Sequence, residues 1–149
     1  MASASPRWAS PRTRRRTAGR DVAAVAKQLG LTLLPWQRQV LDVALERAGR
    51  RPAYRDCVVS VPRQSGTSTL ALSLMVWRML ETPGARVLYS AQTRSAAREK
   101  LLSSWWPRLA HSPLGDRVTL FRGFGSETIT CDNGSTLLIA ECDRERRAR

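Results

Sequence analysis

A helix that is apolar on nearly every side is the feature that most constrains this fold. Residues 67–80 place apolar side chains all round a helix, and such a helix is buried on most of its surface. A short β-branched run at residues 57–61 precedes it and predicts a buried strand. A second buried strand is predicted at residues 86–91. Strand, helix and strand in this order predict a crossover connection between two parallel strands.

The hydrophobic period changes to two in the last third of the chain, after Gly115. Alternating residues predict three further strands, and Asn133-Gly134 between the last two is a strong hairpin signal. These strands are expected at residues 118–122, 128–132 and 136–140. Helical spacing predicts other helices at residues 21–29, from Pro35 to Gly49, and from about Ser95, where Pro107 ends or kinks the helix. The fold class is therefore α/β, with a late β-hairpin.

The chain carries a large excess of positive charge, 25 Lys+Arg against 12 Asp+Glu in 149 residues. Such an excess favours an anionic partner, and nucleic acid is the first one to consider. Residues 1–20 hold six arginines and no acidic residue, which predicts a disordered Arg-rich arm. A folded domain is expected at residues 21–140, and a charged tail at residues 141–149. The three cysteines lack metal-ligand spacing, and no apolar run approaches the roughly 18 residues that span a bilayer.

The loop between the first predicted strand and the apolar helix carries the strongest functional signal. Backbone N–H groups and the positive end of a helix converge on one point in such a loop, which suits a phosphate. Against the pattern G-x-x-x-x-G-K-[ST], Gly66 is the second glycine and Ser68 stands where a hydroxyl would bind Mg²⁺. Val61 replaces the first glycine, Thr67 replaces the lysine, and Arg63 offers a substitute cation. A plain β–α connection is the alternative.

Two other segments add candidate contacts. Gln37 stands at the start of a predicted helix, and a glutamine amide can pair with the N6 and N7 atoms of adenine. An exposed helix residue is the simpler interpretation of Gln37, and Trp36 beside it is a candidate for stacking. Thr93 and Arg94 follow the second predicted strand, where ligands of parallel sheets bind, so they are candidate contacts to a nucleic-acid phosphate. Thr93 is alternatively a helix cap.

Four motifs occur along the chain, namely L-x-P-W-Q-x-x-V-L from Leu33, V-P-R-Q-x-G from Val61, S-A-Q-T-R-x-x-A from Ser90 and I-x-x-x-N-G-S-x-L-x-I-A from Ile129. In order and spacing they together resemble the ATPase domain of the large terminase subunit of tailed bacteriophages, over about residues 31–140. The resemblance implies a P-loop NTPase-type parallel sheet with crossover helices. Terminases often lack the first glycine and carry an arginine at the place of Arg63, whereas Thr67 departs from the family pattern.

The resemblance also implies an activity and partners. The protein would be an ATP hydrolase that drives double-stranded DNA into a capsid, with ATP and Mg²⁺ as cofactors. Its partners would be the small terminase subunit, the capsid portal and further copies of itself in a ring, in the host cytoplasm and without a membrane. The nucleotide site would comprise the adenine segment and the phosphate loop, namely Trp36, Gln37, Pro62, Arg63, Gln64, Ser65, Gly66, Thr67 and Ser68. DNA contacts would come from Thr93 and Arg94.

The family has an apolar strand ending in Asp-Glu after the hairpin, the Walker B strand, whose acids hold Mg²⁺ and activate water. Here the hairpin is followed by Glu141 and Asp143 in a charged stretch without such a strand. We therefore expect a fragment truncated before the acidic strand, with little activity alone. There are two alternatives. One is a non-catalytic basic nucleic-acid-binding module, which accounts for the positive charge. The other is a superfamily 2 helicase-like fragment, in which similar motifs occur in the same order.

Overall fold

The structure is a computed structural model that describes residues 6–13, 15–123 and 126–141. The chain divides into two compact units, Met1–Leu74 and Met75–Arg149. The sequence predicted one folded domain from residue 21 to residue 140. The predicted tail lies outside the described residues, apart from Glu141, whose backbone belongs to a strand.

Two packed helices and a short hairpin build the first unit. Helix α1 spans Gly19–Gln28 and helix α2 spans Pro35–Ala44. Both are amphipathic, and their buried side chains form the core of this unit. Strands β1, Arg47–Ala48, and β2, Arg51–Pro52, pair as an antiparallel hairpin in a stretch that the sequence predicted as the end of a helix and a loop.

The predicted arm is ordered where it meets this hairpin, so its expected disorder is wrong for its last residues. The carboxylate of Glu46, which is fully buried, accepts hydrogen bonds from the backbone N–H and the hydroxyl of Thr13, each at 2.7 Å. Thr17 pairs with Glu46 in an antiparallel bridge, and helix α1 already begins at Gly19. Composition misses this because one buried acceptor and a few backbone bonds are enough to fix a polar segment.

The buried strand predicted at residues 57–61 is wrong. These residues belong to no strand, and all but Val61, which is half-buried, are exposed; Val58 is 95% exposed. β-Propensity reflects how well a side chain fits a pleated, half-buried surface, and it forms a strand only where a neighbouring strand pairs with it. No strand among the described residues pairs with this segment, so the predicted parallel pair with residues 86–91 is not formed.

The apolar helix is present almost as predicted. Helix α3 spans Thr67–Glu81, and the turn after it contains Pro83 and Gly84, the latter with a left-handed φ of 69°. Its buried side chains occur on several sides, as the lack of a polar face predicts. They are Leu70, Leu72, Met75, Val76, Trp77 and Met79.

A four-stranded mixed sheet forms the second unit, in the order β3-β6-β5-β4. Its strands are β3 at Arg86–Ala91, β4 at Val118–Phe121, β5 at Thr128–Cys131 and β6 at Thr136–Glu141. Strands β5 and β6 form the predicted Asn-Gly hairpin, and β4 pairs antiparallel with β5. Strand β6 pairs in parallel with β3, so the chain does contain a parallel pair, but with a different partner from the predicted one.

Strand β3 lies at the edge of this sheet and is not buried as predicted. Val87, Tyr89 and Ala91 are half-buried, while Leu88 on the other face is 63% exposed. The ring of Tyr89 contacts that of Trp105 edge-on, with ring centroids 4.5 Å apart. One face of β3 is therefore packed and the other open, which gives an alternating burial pattern.

The helix after β3 is longer than predicted. Helix α4, Arg94–Glu99, continues through a π-helical segment, Lys100–Trp105, into α5, Trp106–Ala110. The sequence predicted that Pro107 ends or kinks this helix, and it does not end it. Pro107 follows directly on the π-helical segment, where the hydrogen-bond pattern changes.

The hairpin turn between β5 and β6 is bonded to the end of helix α3. The Asn133 amide donates to the carbonyl of Met79 at 2.8 Å, and the buried hydroxyl of Ser135 donates to the same carbonyl at 2.9 Å. The Asn133 side-chain oxygen in turn accepts the backbone N–H of Ser135 at 3.0 Å. Asn133 thus closes its own turn and satisfies a carbonyl at the helix end.

The protein is a mixed α/β protein with a four-stranded mixed sheet and flanking helices. Each helix within residues 6–13, 15–123 and 126–141 is too short or too polar to cross a membrane.

Candidate functional site

The loop that enters helix α3 has an unusual backbone. Gln64 has φ of 63° and is the only non-glycine residue of the described chain with a left-handed φ; Gly66 has φ of 92°. Ser65 between them does not share this conformation. Successive backbone N–H groups form a concave anion-binding nest where right-handed and left-handed residues follow one another or the chain turns, so a loop with two left-handed residues is a candidate for one. Left-handed conformations of non-glycine residues are uncommon and concentrate at functional sites.

Gln37 holds this loop in place. Its side chain is 1% exposed, its amide donates to the Gly66 carbonyl at 2.8 Å, and its amide oxygen accepts the Leu34 N–H at 2.7 Å. The second bond is one half of a capping box, in which a glutamine at the third helical position reaches back to the helix start. Both ends of the Gln37 amide are thus bonded to the backbone, so in this conformation the amide does not face a base. Gln37 connects the start of α2 to the loop instead.

The loop presses close against Gln37 at Gly66. A Cβ added to Gly66 would lie 2.8 Å from the amide nitrogen of Gln37, closer than side-chain carbons approach such an atom. The Gly66 carbonyl also accepts the N–H groups of Thr69 and Leu70, at 3.0 and 3.3 Å, and so begins the α3 hydrogen-bond ladder. Glycine is required here both for the left-handed backbone and for the space.

The predicted phosphate ligands differ in their exposure to solvent. Arg63 and Thr67 are exposed, while Ser68 in the first turn of α3 is half-buried. Arg63 forms no ion pair with any of the described residues, so its guanidinium is available to an anion. One cation, several N–H groups and a helix start therefore occur within a stretch of six residues.

A cavity of about 480 Å³ adjoins this loop within the first unit. Pro62 and Ser65 line it on the loop side, and Trp36 with Val40 of helix α2 lines it on another. Two more aromatic residues, Trp8 and Tyr54, contribute to its wall. This volume lies in the range of about 300–1,000 Å³ that small-molecule sites occupy. Of the predicted nucleotide-site residues, Trp36, Pro62 and Ser65 line this cavity. The other six are not in its wall, namely Gln37, Arg63, Gln64, Gly66, Thr67 and Ser68.

Thr93 and Arg94 belong to the second unit. Thr93 caps α4, because its hydroxyl accepts the Ala96 N–H at 3.1 Å, which agrees with the alternative interpretation of this residue. Arg94 forms an ion pair with Glu127 at 3.6 Å. A DNA contact by either residue stays a prediction, and Arg94 would make it while paired with a carboxylate.

Glu127 is a buried carboxylate that the sequence did not single out. It is 1% exposed, and Arg98, one helical turn after Arg94, donates a hydrogen bond to it from Nε. This hydrogen bond lowers the pKa of Glu127, and the charges of Arg98 and Arg94 add to the effect. Two arginines four residues apart on one helix face were the available signal, since such a pair needs a counter-charge.

An exposed ion pair, Arg117 with Asp132, lies next to strands β4 and β5. Arg117 donates two hydrogen bonds to Asp132, at 2.8 and 3.0 Å, in the fork geometry that arginine favours. The Arg117 bond, with one from the Cys131 thiol, lowers the pKa of Asp132 to about 2. This pair has no role in the candidate site, but it provides an exposed reference for the buried Glu127 pair.

Comparison of the chain with protein-family models, curated proteins and solved structures gave no match. In the part of the chain that the structure describes, no three His, Cys, Asp or Glu side chains group closely enough to hold a metal ion. A magnesium ion at the loop would therefore depend on phosphate oxygens and the Ser68 hydroxyl. The left-handed loop at Gln64 and Gly66, and the exposed Arg63 that has no ion pair among the described residues, suit a phosphate group.

Proposed function

We propose that this chain is the ATP-binding portion of a DNA-packaging motor of the terminase type. The left-handed loop at Gln64 and Gly66, entering a long helix beside an aromatic cavity, is the observation that carries this proposal. The four motifs that resemble the terminase ATPase support the assignment to a packaging motor. The loop geometry supports nucleotide binding. The proposed partner is double-stranded DNA.

In this proposal the phosphates of ATP lie in the concave side of the loop. Backbone N–H groups of residues 64–68 donate to phosphate oxygens, and Arg63 supplies the cation that the lysine of the standard pattern provides. Arginine offers a planar fork in place of a point charge, so it suits two oxygens of one phosphate. The Ser68 hydroxyl binds Mg²⁺, which in turn neutralises charge on the phosphates. Thr67 contributes its N–H.

The base of ATP lies in the cavity beside the loop, against Trp36. Stacking of a base on an aromatic side chain contributes about 1–3 kcal/mol. Gln37 does not contact the base in this proposal. Its hydrogen bond to the Gly66 carbonyl holds the loop in the conformation that receives phosphate. The proposal thus keeps Trp36 and Gln37 in the nucleotide site, with Gln37 as a positioning residue.

In the motor, nucleotide binding at this loop would be coupled to movement of DNA, with several copies of the protein in a ring on the capsid portal. Thr93 and Arg94 are the proposed DNA contacts from the sequence motif after β3. The small terminase subunit and the host cytoplasm belong to the same proposal, through the same resemblance.

Replacing Arg63 with alanine is expected to weaken binding of Mg-ATP by about ten- to a hundredfold, because a charged hydrogen bond contributes roughly 1.5–3 kcal/mol. Arg78→Ala is the matched control, because Arg78 is an exposed arginine of α3, the helix that this loop enters, eleven residues after its first residue. Titration calorimetry of both variants with Mg-ATP measures the difference.

Equal affinities of the two variants would remove Arg63 from the site. If the unaltered chain bound no Mg-ATP but retained duplex DNA in a filter-binding assay, the non-catalytic nucleic-acid-binding module would become the better proposal. A helicase-like relative would instead show ATP binding that single-stranded nucleic acid strengthens more than duplex DNA does.

A further inference from the structure

A cluster of exposed arginines surrounds the β1–β2 hairpin of the first unit. We call it the arginine patch; it consists of Arg15, Arg16, Arg50, Arg51 and Arg55, all exposed. None of the five forms an ion pair with another described residue. These five positive charges, from Arg15 to Arg55, lie within 41 residues of one unit and outside the candidate nucleotide site.

Backbone hydrogen bonds bring these arginines together from three stretches of chain. The Arg16 carbonyl accepts the Arg47 N–H at 2.9 Å, and the Ala18 N–H donates to the Leu45 carbonyl at 3.3 Å. On the other side of β1, Ala48 pairs with Arg51 of β2. The end of the arm therefore runs beside β1 as β2 does, and adjacent strands lie about 4.8 Å apart. Arginines distant in sequence are therefore carried by adjacent backbone segments around the hairpin, with Arg16 on the face of Arg47 and Arg51 on the opposite face.

The acidic residue at the centre of this arrangement is not available to neutralise the patch. Glu46 precedes β1, but its carboxylate is fully buried and both of its oxygens accept hydrogen bonds from Thr13. Asp42 pairs with Arg12, outside the patch, at 3.6 Å. Asp56, which is exposed, follows Arg55 in sequence and offsets one of the five positive charges. The hydrogen bonds between Glu46 and Thr13 hold the end of the arm against the hairpin.

From this geometry we infer that the arginine patch binds the phosphate backbone of duplex DNA. Guanidinium forks fit phosphate oxygens in bidentate geometry, and the hairpin with the arm paired to it carries several of them. The residues between the arginines are Ala48, Gly49 and Pro52, which offer no large apolar anchor of the kind found at the centre of protein interfaces. The contacts are therefore electrostatic and independent of base sequence.

This site differs from the DNA contacts at Thr93 and Arg94 that the sequence motif predicted. It shares the duplex DNA partner with the proposed function and requires no ATP binding. The arm contributes to it as part of the folded surface, since Thr13 and Thr17 are fixed at Glu46.

Fluorescence anisotropy with labelled 20-base-pair duplexes tests the inference. The double variant Arg50→Gln, Arg51→Gln changes the hairpin surface alone. Each phosphate contact contributes about −0.9 to the slope of log K against log salt, so the double variant should lower the steepness of the slope by about 1.8 between 50 and 200 mM salt. The loss should be equal for two duplexes of unrelated sequence.

Arg86→Gln with Arg122→Gln is the matched control, because it removes two exposed arginines of the second unit and the same charge. Its slope should stay within about 0.3 of that of the unaltered chain. Equal slopes for the two double variants would overturn the inference, since net charge alone would then explain binding. Competition by polyglutamate as effective as that by DNA, at equal charge, would also overturn it.

Mg-ATP affinity measured on the same proteins separates this inference from the proposed function. The hairpin variant should bind Mg-ATP as the unaltered chain does, whatever its affinity for DNA. A second variant, Glu46→Gln, keeps every arginine but weakens the hydrogen bonds from Thr13 that hold the arm. It should reduce the slope of log K against log salt by less than the hairpin variant does. An unchanged slope in both variants would mean that the patch does not bind DNA.

Discussion

Replacing Gly66 with alanine is expected to weaken Mg-ATP binding at least tenfold and to lower the free energy of unfolding by about 2 kcal/mol. A left-handed conformation costs a residue with a Cβ roughly 1–2 kcal/mol. The new Cβ would also lie 2.8 Å from the Gln37 amide nitrogen, so the Gln37–Gly66 bond must lengthen or break. Either change moves the N–H groups that face the phosphates, which is why affinity falls with stability.

Gly49→Ala provides the matched control for this experiment. Gly49 also has a left-handed φ, 65°, but a Cβ there would meet nothing within 4 Å. This substitution has the same backbone cost without the contact to Gln37, so it should lower stability less and leave Mg-ATP affinity unchanged. Urea unfolding and calorimetric titration measure both quantities. The same loss of affinity in both variants would mean that the loop conformation does not control nucleotide binding.

Glu127→Gln is expected to have the largest effect on stability in the second unit, a loss of about 2 kcal/mol at pH 7. The carboxylate is buried and receives a charged hydrogen bond from Arg98, with Arg94 at 3.6 Å, and charged hydrogen bonds contribute roughly 1.5–3 kcal/mol. Both arginines remain partly exposed and regain water when the charge is lost, which keeps the effect below that of a fully buried pair.

The stabilisation from Glu127 should depend on pH in a defined direction. The Arg98 hydrogen bond lowers the pKa of Glu127 in the folded protein, so the folded state binds a proton less readily than the unfolded state. Its contribution is therefore fully present above the unfolded pKa, near 4.3, and is lost as pH falls through the lower folded pKa. The difference in unfolding free energy between the unaltered chain and Glu127→Gln should shrink from pH 7 toward pH 3.

Asp132→Asn is the control for the buried pair. Asp132 is also bonded to an arginine and its pKa is lowered to about 2, but the pair is exposed to water. Water screens such a pair, so this substitution should change stability at pH 7 much less than Glu127→Gln does. Urea unfolding at pH 7, 5 and 3 gives all three comparisons. Equal losses in the two variants, or a Glu127 effect that is constant with pH, would contradict the role assigned to burial.

The elements that depend on local sequence could be predicted closely. Strand β3 has its predicted bounds, α3 differs from its prediction by one residue, and the Asn133-Gly134 turn joins β5 and β6 as expected. Each of these rests on a period or a turn residue that acts within a few positions. The coarse class, mixed α/β, follows from the order of such elements.

The failures lie where distant parts of the chain decide the outcome. Residues 57–61 have strand propensity but no partner strand, and the arm is held by one buried acid, Glu46, more than thirty residues away. Gln37 was interpreted through the chemistry of its amide, whereas its position as the third residue of α2 directs that amide to Leu34 and Gly66. Motif spacing predicted a loop before α3, whereas the left-handed conformation of Gln64 is known only from the structure.

The most direct test of the nucleotide site is an amide NMR titration of the full chain with Mg-ATP. The N–H signals of residues 64–68 should shift progressively with Mg-ATP, together with the indole signal of Trp36, and the shifts should be lost in Gly66→Ala and retained in Gly49→Ala. Shifts confined to the arginine patch, or none at all at millimolar Mg-ATP, would contradict the proposal that this loop binds the nucleotide.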